Sequence, residues 1–318
     1  MALRSPVPKA EGRSFDVVGF GGNAIDHLIV IPGRPEFGEK VKFVRYSLQG
    51  GGRTATAMVT VARLGGRARY IGGVGDDEEG GRVLDGLREE GVDVAGVRVR
   101  TGEMTQRAFV LVDEVTGERT IVWGRGPGIP FAPEEVDAAL VRTGRLFYTD
   151  AQDPLSAAVA ARAAKQGGQP VVADLEDVRP GCEAFLPMID VLIAGARFPE
   201  LATGRGRLAE SLPRLEGMTA GALIIVTLGP EGAIAWIDGR VERFPGYIVG
   251  PVDTTGAGDV FHGAFVIAHL AGRDVVDALD FSNAAAAMKC RFLGGRDGIP
   301  RSVEEVDDFR RTARRRGR

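Results

Sequence analysis

The chain has 318 residues, of which 44% are hydrophobic and 26% are charged, and its net charge is −3 at pH 7. So small a net charge excludes the strong single-sign surface field that binds nucleic acids or anionic membranes. The two cysteines, Cys182 and Cys290, and the three histidines lack the spacing of metal ligands, so small molecules are the expected partners.

The two ends of the chain differ in composition from the rest. Residues 1–14 are interpreted as a flexible leader, because they lack the apolar region of a signal peptide. No run reaches the roughly 18 apolar residues that a membrane span requires, so we expect a cytoplasmic protein. Residues 309–318 are rich in arginine and are expected to form a solvated basic tail, with a nucleic-acid arm as the alternative. The main domain then spans 15–308.

Short β-branched runs alternate with longer amphipathic stretches through this domain. The runs FDVVGFG, ARYIGGVG, LFYTD, PVVADL, IDVLIAG and ALIIVTLG predict strands, and stretches such as TATAMVTVARLG and DVFHGAFVIAHLAG predict helices. This order predicts an α/β fold, a doubly wound, mostly parallel sheet with helices on both faces. Glycines follow several of the helices where a left-handed C-cap is favoured, at Gly65, Gly91, Gly167 and Gly272.

Two excursions, at about 27–49 and 105–124, interrupt the alternation and contain no good helix. The second predicts a hairpin with its turn at 115–118. We interpret the two excursions as a small β-sheet that acts as a lid or as a dimer surface. Ordinary edge hairpins of the main sheet are the alternative.

The stretch PVDTTGAGDVFHGAFV, residues 251–266, changes abruptly from small and polar residues to apolar ones. A helix that begins near Gly258 would direct the amides of Gly256, Ala257 and Gly258 outward, where small side chains let an anion approach. Asp259 would lie in the first turn of that helix. A carboxylate beside such amides suits phosphoryl transfer, since it can take a proton from the attacking hydroxyl; a simple helix cap is the alternative.

Two common nucleotide motifs are absent from the sequence. There is no GxxxxGK[ST], which excludes a P-loop enzyme. The run VVGFGGNAID does not satisfy GxGxxG, because Ala24 and Asp26 stand where the last glycine is required. A nicotinamide-dependent oxidoreductase therefore rests on fold class alone.

The segments DTTGAGDVFHGAF (253–265) and GGGRTATAMVTVARLGG (50–66) resemble the two signatures of the ribokinase/PfkB family of carbohydrate kinases. The resemblance extends over about 15–300 and includes GFGGNAID, VTLGPEGA and CRFLGGRDGIP. It implies a ribokinase-like fold with a β-sheet lid, a homodimer formed through that lid, and ATP-dependent phosphorylation of a sugar with Mg²⁺.

The resemblance also assigns roles to individual residues. Asp259 matches the catalytic base, and the amides of Gly256, Ala257 and Gly258 match the anion hole. The positions that match sugar contacts are Asp26, Gly51, Gly52, Thr56 and Asp150, with Thr56 standing where many members have Asn. The nucleotide loop corresponds to Thr227, Gly229 and Gly232, the approach to adenine to Asn283, and a site for K⁺ to Asp253, Thr255 and the loop 289–298.

Two departures from the family pattern bear on the metal and the substrate. The NxxE motif, which organises magnesium and phosphates, falls on GARF (195–198), where Gly195 and Phe198 replace the two functional residues. Thr56 in place of Asn and the altered NxxE motif, together with GGRDGIP and DVFHGA, resemble the ketohexose branch, particularly sulfofructose kinase. A fructose-like ketose is therefore the first expectation, and ribose, 2-keto-3-deoxygluconate and nucleosides stay open.

Basic residues in or beside the predicted lid raise the question of whether the sugar carries an anionic group. They could bind such a group or could simply discourage edge pairing, and they are Lys40, Lys42, Arg45, Arg107 and Arg125. The missing NxxE residues also motivate a second hypothesis for the whole chain, a sugar- or nucleotide-binding protein without catalytic activity.

Overall fold

Thirteen strands are present in residues 7–317, the part of the chain that this computed structural model describes. Their bounds are β1 Phe15–Phe20, β2 Ala24–Ile31, β3 Arg45–Gly51, β4 Ala68–Gly75, β5 Asp93–Arg100, β6 Arg107–Asp113, β7 Arg119–Gly124, β8 Gly144–Thr149, β9 Val171–Leu175, β10 Val191–Gly195, β11 Leu223–Thr227, β12 Ala233–Ile237 and β13 Arg240–Phe244. Residues 1–6 of the predicted leader lie outside the described residues.

Ten α-helices are found in the same part of the chain. Their bounds are α1 Arg53–Arg63, α2 Glu78–Glu89, α3 Ala138–Val141, α4 Pro154–Gln166, α5 Cys182–Phe185, α6 Phe198–Thr203, α7 Leu208–Met218, α8 Ala257–Leu270, α9 Val275–Lys289 and α10 Val303–Thr312.

The main sheet has nine strands in the order β13-β12-β11-β10-β9-β8-β1-β4-β5. The seven strands from β11 to β5 are parallel, and β12 and β13 add an antiparallel edge. The predicted α/β fold is confirmed. Because the carboxyl ends of parallel strands meet at one edge, the turns that follow β1, β8, β9, β10 and β11 lie at that edge, where ligands bind in such sheets.

One hydrophobic core lies on each face of the main sheet. Residues of α1, α2, α8 and α9 contribute to the first, and residues of α4, α6 and α7 to the second. Each core contains strand residues as well, which explains why the parallel strands are apolar on both faces.

The two excursions form a separate four-stranded sheet in the order β3-β2-β6-β7, which confirms the predicted lid. Strand β2 pairs antiparallel with β3 and parallel with β6, and β6 and β7 form the predicted hairpin. At the end of the hairpin, Arg119 donates a 2.6 Å hydrogen bond to the hydroxyl of Thr254, in the turn before α8. The lid therefore contacts the segment that carries the second family signature.

The basic tail differs from the solvated end that we expected. Helix α10 continues to Thr312, and Arg310 forms ion pairs with Asp277, Asp280 and Asp307. Arg315 also pairs with Asp280. In the sequence, a run of arginines without apolar residues is typical of a disordered end. In the structure, the carboxylates that pair with these arginines lie on α9, which is far away in sequence, and on α10, the helix that carries Arg310.

The predicted helix C-caps are correct except for one. Gly65, Gly91 and Gly272 have φ values of 89°, 75° and 75°, whereas Gly167 has an ordinary backbone and the left-handed residue after α4 is Gly168, with φ 72°. Among the described residues, no helix has the length and apolar character needed to cross a membrane.

Candidate active site

Helix α8 begins at the edge formed by the carboxyl ends of the strands. Gly256 is its N-cap, with φ 73°, and a Cβ at this position would lie 2.8 Å from the Cα of Gly295. A larger residue is therefore disfavoured both by the backbone conformation and by the neighbouring loop.

The predicted anion hole is only partly free. The amide of Ala257 donates a 3.2 Å hydrogen bond to the carbonyl of Thr254. Within residues 7–317, the amides of Gly256 and Gly258 have no protein acceptor. Two amides at the N-terminus of a fourteen-residue helix are thus available to an anion, rather than three.

Asp259 lies in the first turn of α8, among other charged groups. A carboxylate oxygen of Asp259, one of Asp174 and a ring nitrogen of His262 all lie within 4.8 Å of one another. Arg53, at the start of α1, approaches the cluster with its Nη1 3.7 Å from Oδ1 of Asp174. Glu176 is 4.0 Å from the same guanidinium.

These neighbours affect the protonation of Asp259. Burial raises the pKa of its carboxyl well above the usual range, and the charges of Asp174 and Glu176 raise it further. Arg53 opposes the increase. Such a carboxyl has a higher affinity for a proton than an exposed aspartate has, which favours its use as a general base.

The predicted sugar residues Asp26, Gly51 and Gly52 lie together where the lid joins the main domain. A Cβ on Gly51 would be 2.1 Å from Oδ2 of Asp26, and a Cβ on Gly52, which has φ 84°, would be 2.3 Å from the Cα of Asn23. Both positions therefore require glycine. Asp26 is buried, and no protein donor hydrogen-bonds to its carboxylate in the part of the chain that the structure describes.

The pKa of Asp26 is raised to about 6, because burial and the charge of Asp253 disfavour its ionised form while Arg296 favours it. The Arg296 guanidinium is itself buried and donates a 3.0 Å hydrogen bond to the carbonyl of Gly51. A buried carboxylate with open acceptor positions suits a partner with several hydroxyl donors.

The other two predicted sugar residues make internal contacts. Asp150 accepts hydrogen bonds from the amides of Gly22, Thr54 and Gln152, at 2.9, 3.3 and 2.9 Å. Its carboxylate thus connects the turn after β1 with the start of α1. Thr56 is buried in α1, one turn after the N-cap Gly52.

The predicted nucleotide residues lie at the end of β11, in the loop that follows it and in the middle of α9. Thr227 donates a hydrogen bond to the carbonyl of Ala194, and Gly229 and Gly232 have φ values of 58° and 90°. A Cβ on Gly232 would be 2.1 Å from the carbonyl oxygen of Phe244, and Asn283 donates a 3.1 Å hydrogen bond to that same oxygen. The nucleotide loop and Asn283 therefore meet at the carbonyl of Phe244, the last residue of β13.

The two departures from the NxxE pattern have separate structural explanations. Gly195 ends β10, and a Cβ there would be in ordinary van der Waals contact with Glu176, whose Cγ would be 3.6 Å away. Phe198 is fully buried in the core beneath α6. An acid is nevertheless present at this edge, because Glu176 follows the neighbouring strand β9 and adjoins Gly195.

Sequence reasoning missed Arg53, Asp174 and His262. Asp174 ends PVVADL in the same way that Asp150 ends LFYTD, and this strand-end position was the available signal. His262 follows Asp259 by three residues, which places both on one face of α8. Both ring nitrogens of His262 are buried without a hydrogen-bond partner.

Comparison with known proteins tests the family resemblance. The sequence profile described as pfkB family carbohydrate kinase matches residues 16–301, which is most of the chain. This chain belongs to the pfkB family. The resemblance seen in the two signatures is therefore confirmed, and the pfkB enzymes are carbohydrate kinases that transfer a phosphoryl group to a sugar.

Several pfkB relatives align over nearly their whole length. A ribokinase of Haemophilus influenzae is 28% identical, over 89% of this chain and 94% of its own. An ATP-dependent ribose-1-phosphate kinase of Halopiger xanaduensis is 34% identical, over 81% and 84%. Fructokinase-1 of Oryza sativa is 29% identical, over 92% and 97%. Among solved structures, the ribokinase of Thermotoga maritima has a TM-score of 0.79 at 25% identity, and the alignment covers 94% of this chain and 100% of that one.

Proposed function

We propose that this pfkB protein transfers the γ-phosphoryl group of ATP to a hydroxymethyl group of a sugar, with Asp259 as the base. The observation that carries the proposal is the position of Asp259 in the first turn of α8, beside the free amides of Gly256 and Gly258. A simple capping role is less well supported, because the Asp259 carboxyl adjoins two other acids and has a raised pKa.

The residues suggest the following sequence of steps. The Asp26 carboxylate accepts hydrogen bonds from sugar hydroxyls, while Gly51 and Gly52 let their segment pack closely against Asp26 and the backbone of Asn23. Asp259 takes the proton of the attacking hydroxyl as its oxygen approaches the phosphorus. The amides of Gly256 and Gly258 donate to the phosphoryl oxygens, where negative charge accumulates in the transition state.

ATP is the proposed phosphoryl donor. Gly229 is exposed after β11, and its amide has no acceptor among the described residues, whereas the amide of Gly232 donates to the carbonyl of Gly229. Asn283 fixes the segment beside them. The relative with 34% identity is named as an ATP-dependent kinase, which supports the same donor here.

Mg²⁺ is the proposed metal, and the donor set at the strand edge fits it. Asp174 and Glu176 offer carboxylate oxygens next to Asp259, which compensates for the acid that is missing at Phe198. A ring nitrogen of His262 lies close to the carboxylates of Asp174 and Asp259, and neither nitrogen of this ring has a hydrogen-bond partner within residues 7–317. Bound there with ATP, the ion would neutralise charge on the phosphates.

A fructose-like ketose remains the proposed sugar, with sulfofructose or another anionic ketose included. Relatives named as fructokinase and ribokinase have nearly equal identity, so ribose stays a candidate, as do 2-keto-3-deoxygluconate and nucleosides. Two basic residues of the lid already have partners, since Arg107 pairs with Asp77 and Arg125 pairs with Asp153. Of the five basic residues singled out in the sequence, this leaves the exposed Lys40, Lys42 and Arg45 for an anionic group.

The proposed assembly is a homodimer formed through the outer face of the lid, and the proposed location is the cytoplasm. Tyr46, Phe109 and Val122 share this outer face and are 49%, 43% and 59% exposed. A second copy of the same sheet would cover this apolar surface.

Asp259→Asn tests the proposed function. We expect kcat for ADP formation to fall by about 10²–10⁴-fold, because the amide cannot accept the proton. The assay uses ATP, Mg²⁺ and a panel of ketoses, aldoses, aldonates, sulfosugars and nucleosides. Asp85→Asn, at an exposed position of α2, serves as the matched control and should retain full activity.

Two outcomes would contradict the proposal. If Asp259→Asn keeps most of the wild-type turnover, Asp259 is not the base. If the wild-type protein binds a sugar of the panel tightly but releases no ADP, the chain is the non-catalytic binding protein that the missing NxxE residues suggest.

A further inference from the structure

A fully buried lysine lies beneath the turn that carries the proposed anion hole. Lys289 is the last residue of α9, and its side chain is 0% exposed. Its Nζ donates a 2.7 Å hydrogen bond to the backbone carbonyl of Asp253, three residues before Gly256. The proposed mechanism does not use this amine.

Asp253 connects that turn to the loop after α9. Its Oδ1 accepts hydrogen bonds from the amide and the hydroxyl of Thr255, both at 2.8 Å, and its Oδ2 accepts a 2.8 Å bond from the amide of Gly294. The amide of Asp253 donates to the carbonyl of Cys290. The conformation of the turn before α8 thus depends on groups at the end of α9.

These contacts leave little room for the K⁺ ion predicted at Asp253 and Thr255. A K⁺ ion needs several oxygen atoms directed at one point. The Oδ1 of Asp253 already accepts two hydrogen bonds, and its carbonyl is bound by the Lys289 ammonium, whose charge would repel a second cation at that oxygen. The donor set therefore does not fit a free monovalent cation, whereas an ammonium group carries the same charge on a tether.

We propose that Lys289 is a positioning residue whose ammonium replaces the monovalent cation, so that this enzyme needs no potassium. The proposal rests on the proposed kinase function. Burying an ammonium is unfavourable unless it is paired, and the carbonyl of Asp253 is its partner here. Burial lowers the pKa of Lys289, and the charge of Asp253 opposes that change.

The first test uses the wild-type protein without potassium. ADP formation is measured with the Tris salt of ATP in choline chloride and compared with KCl, NaCl and NH₄Cl at equal ionic strength. We expect kcat to agree within about twofold across the four salts. Activation by K⁺ of about tenfold or more would overturn the proposal.

The second test removes the ammonium and supplies a cation from solution. Lys289→Met should lower kcat in choline chloride, and NH₄⁺ or K⁺ should restore part of it, with little change in KM for the sugar. Lys165→Met, at a partly exposed lysine of α4, is the matched control and should show neither the loss nor the rescue. A loss that no cation restores would show that Lys289 contributes only to packing.

A stability measurement separates this proposal from the kinase function. The midpoint of thermal unfolding of Lys289→Met should rise when KCl replaces choline chloride, whereas the wild-type midpoint should not. Lys289→Gln is measured in parallel, because its polar side chain is better tolerated in a polar site. This measurement needs no substrate, so it still tests the role of Lys289 if no sugar of the panel is phosphorylated. If the midpoint of Lys289→Met is the same in KCl and in choline chloride, the proposal is overturned.

Discussion

Asp259 shows how neighbouring residues determine the chemistry of a single carboxyl group. On a solvated helix the same aspartate would be a weak base that favours the N-terminal turn. Here Asp174 and Glu176 raise its pKa by repulsion, and Arg53 limits the increase. The balance of these charges determines the pH at which the proposed base is active.

Replacing the strongest acidic neighbour and the basic neighbour of Asp259 should shift the pH profile in opposite directions. The base acts when deprotonated, so kcat/KM should rise with pH through the pKa of Asp259. Asp174→Asn removes a negative charge and should move this acid limb to lower pH. Arg53→Gln removes a positive charge and should move it to higher pH.

The measurement is kcat/KM against pH for both variants with one substrate. Asp85→Asn, far from the cluster, should leave the profile unchanged. Shifts in the same direction for both variants would contradict the assignment of the limb to Asp259.

Gly51 is the residue at which one added carbon has the most direct effect on the proposed sugar site. Gly51→Ala would place a Cβ 2.1 Å from Oδ2 of Asp26, so the carboxylate must move. We expect kcat/KM for the sugar to fall by about 10²-fold, since a displacement of about 1 Å in such a site has that effect.

Gly217→Ala is the matched control, because a Cβ at this position of α7 meets no atom within 4 Å. It should leave kcat/KM unchanged and raise the free energy of unfolding in urea by up to about 1 kcal/mol. Equal activity of the two variants would argue against the proposed sugar site.

At the scale of elements, the two faces of the lid differ in character. Asp26, on β2, faces inward with Leu28 and Val110, which are buried. On the outer face, His27 stacks on Phe109, with ring centroids 4.8 Å apart, and hydrogen-bonds to the hydroxyl of Tyr46. Because side chains alternate along a strand, the same four strands supply the proposed sugar contact on one face and an apolar surface on the other.

The outer face predicts a change of oligomeric state on mutation. Phe109→Glu places a charge at the centre of the proposed dimer interface and should convert the dimer to a monomer in sedimentation velocity. Val276→Glu is the control, since Val276 is an exposed apolar residue near the start of α9, outside the lid. A monomeric wild-type protein at micromolar concentration would be evidence against the dimer.

At the scale of the whole molecule, the nucleotide that stabilises the fold distinguishes the remaining function classes. A ligand that binds only the folded state at 100 times its Kd adds about 2.7 kcal/mol to the free energy of unfolding. We expect Mg²⁺ and ATP to raise the thermal midpoint and NAD⁺ to leave it unchanged. A clear shift with NAD⁺ and none with ATP would favour an oxidoreductase.

Much of the architecture follows from local features of the sequence. The strand runs predicted β1, β4, β8, β9, β10 and β11, and the two excursions predicted the lid, because periodicity and turn residues act over a few positions. The edge strands β5 and β13 were not predicted, since charged residues interrupt their apolar pattern. The need for glycine at Gly51 and Gly256 was also readable, although its cause was not.

The sequence by itself therefore determined the family, the layered α/β fold and the segments that form the site. Only the tertiary structure decided which distant groups meet there, including Asp174 with Asp259, Lys289 with Asp253, and the acidic partners of the C-terminal arginines. Backbone preference and hydrophobic periodicity depend on neighbours in the chain. Contacts between side chains from separate strands and helices depend on how the elements pack, and no local pattern specifies them.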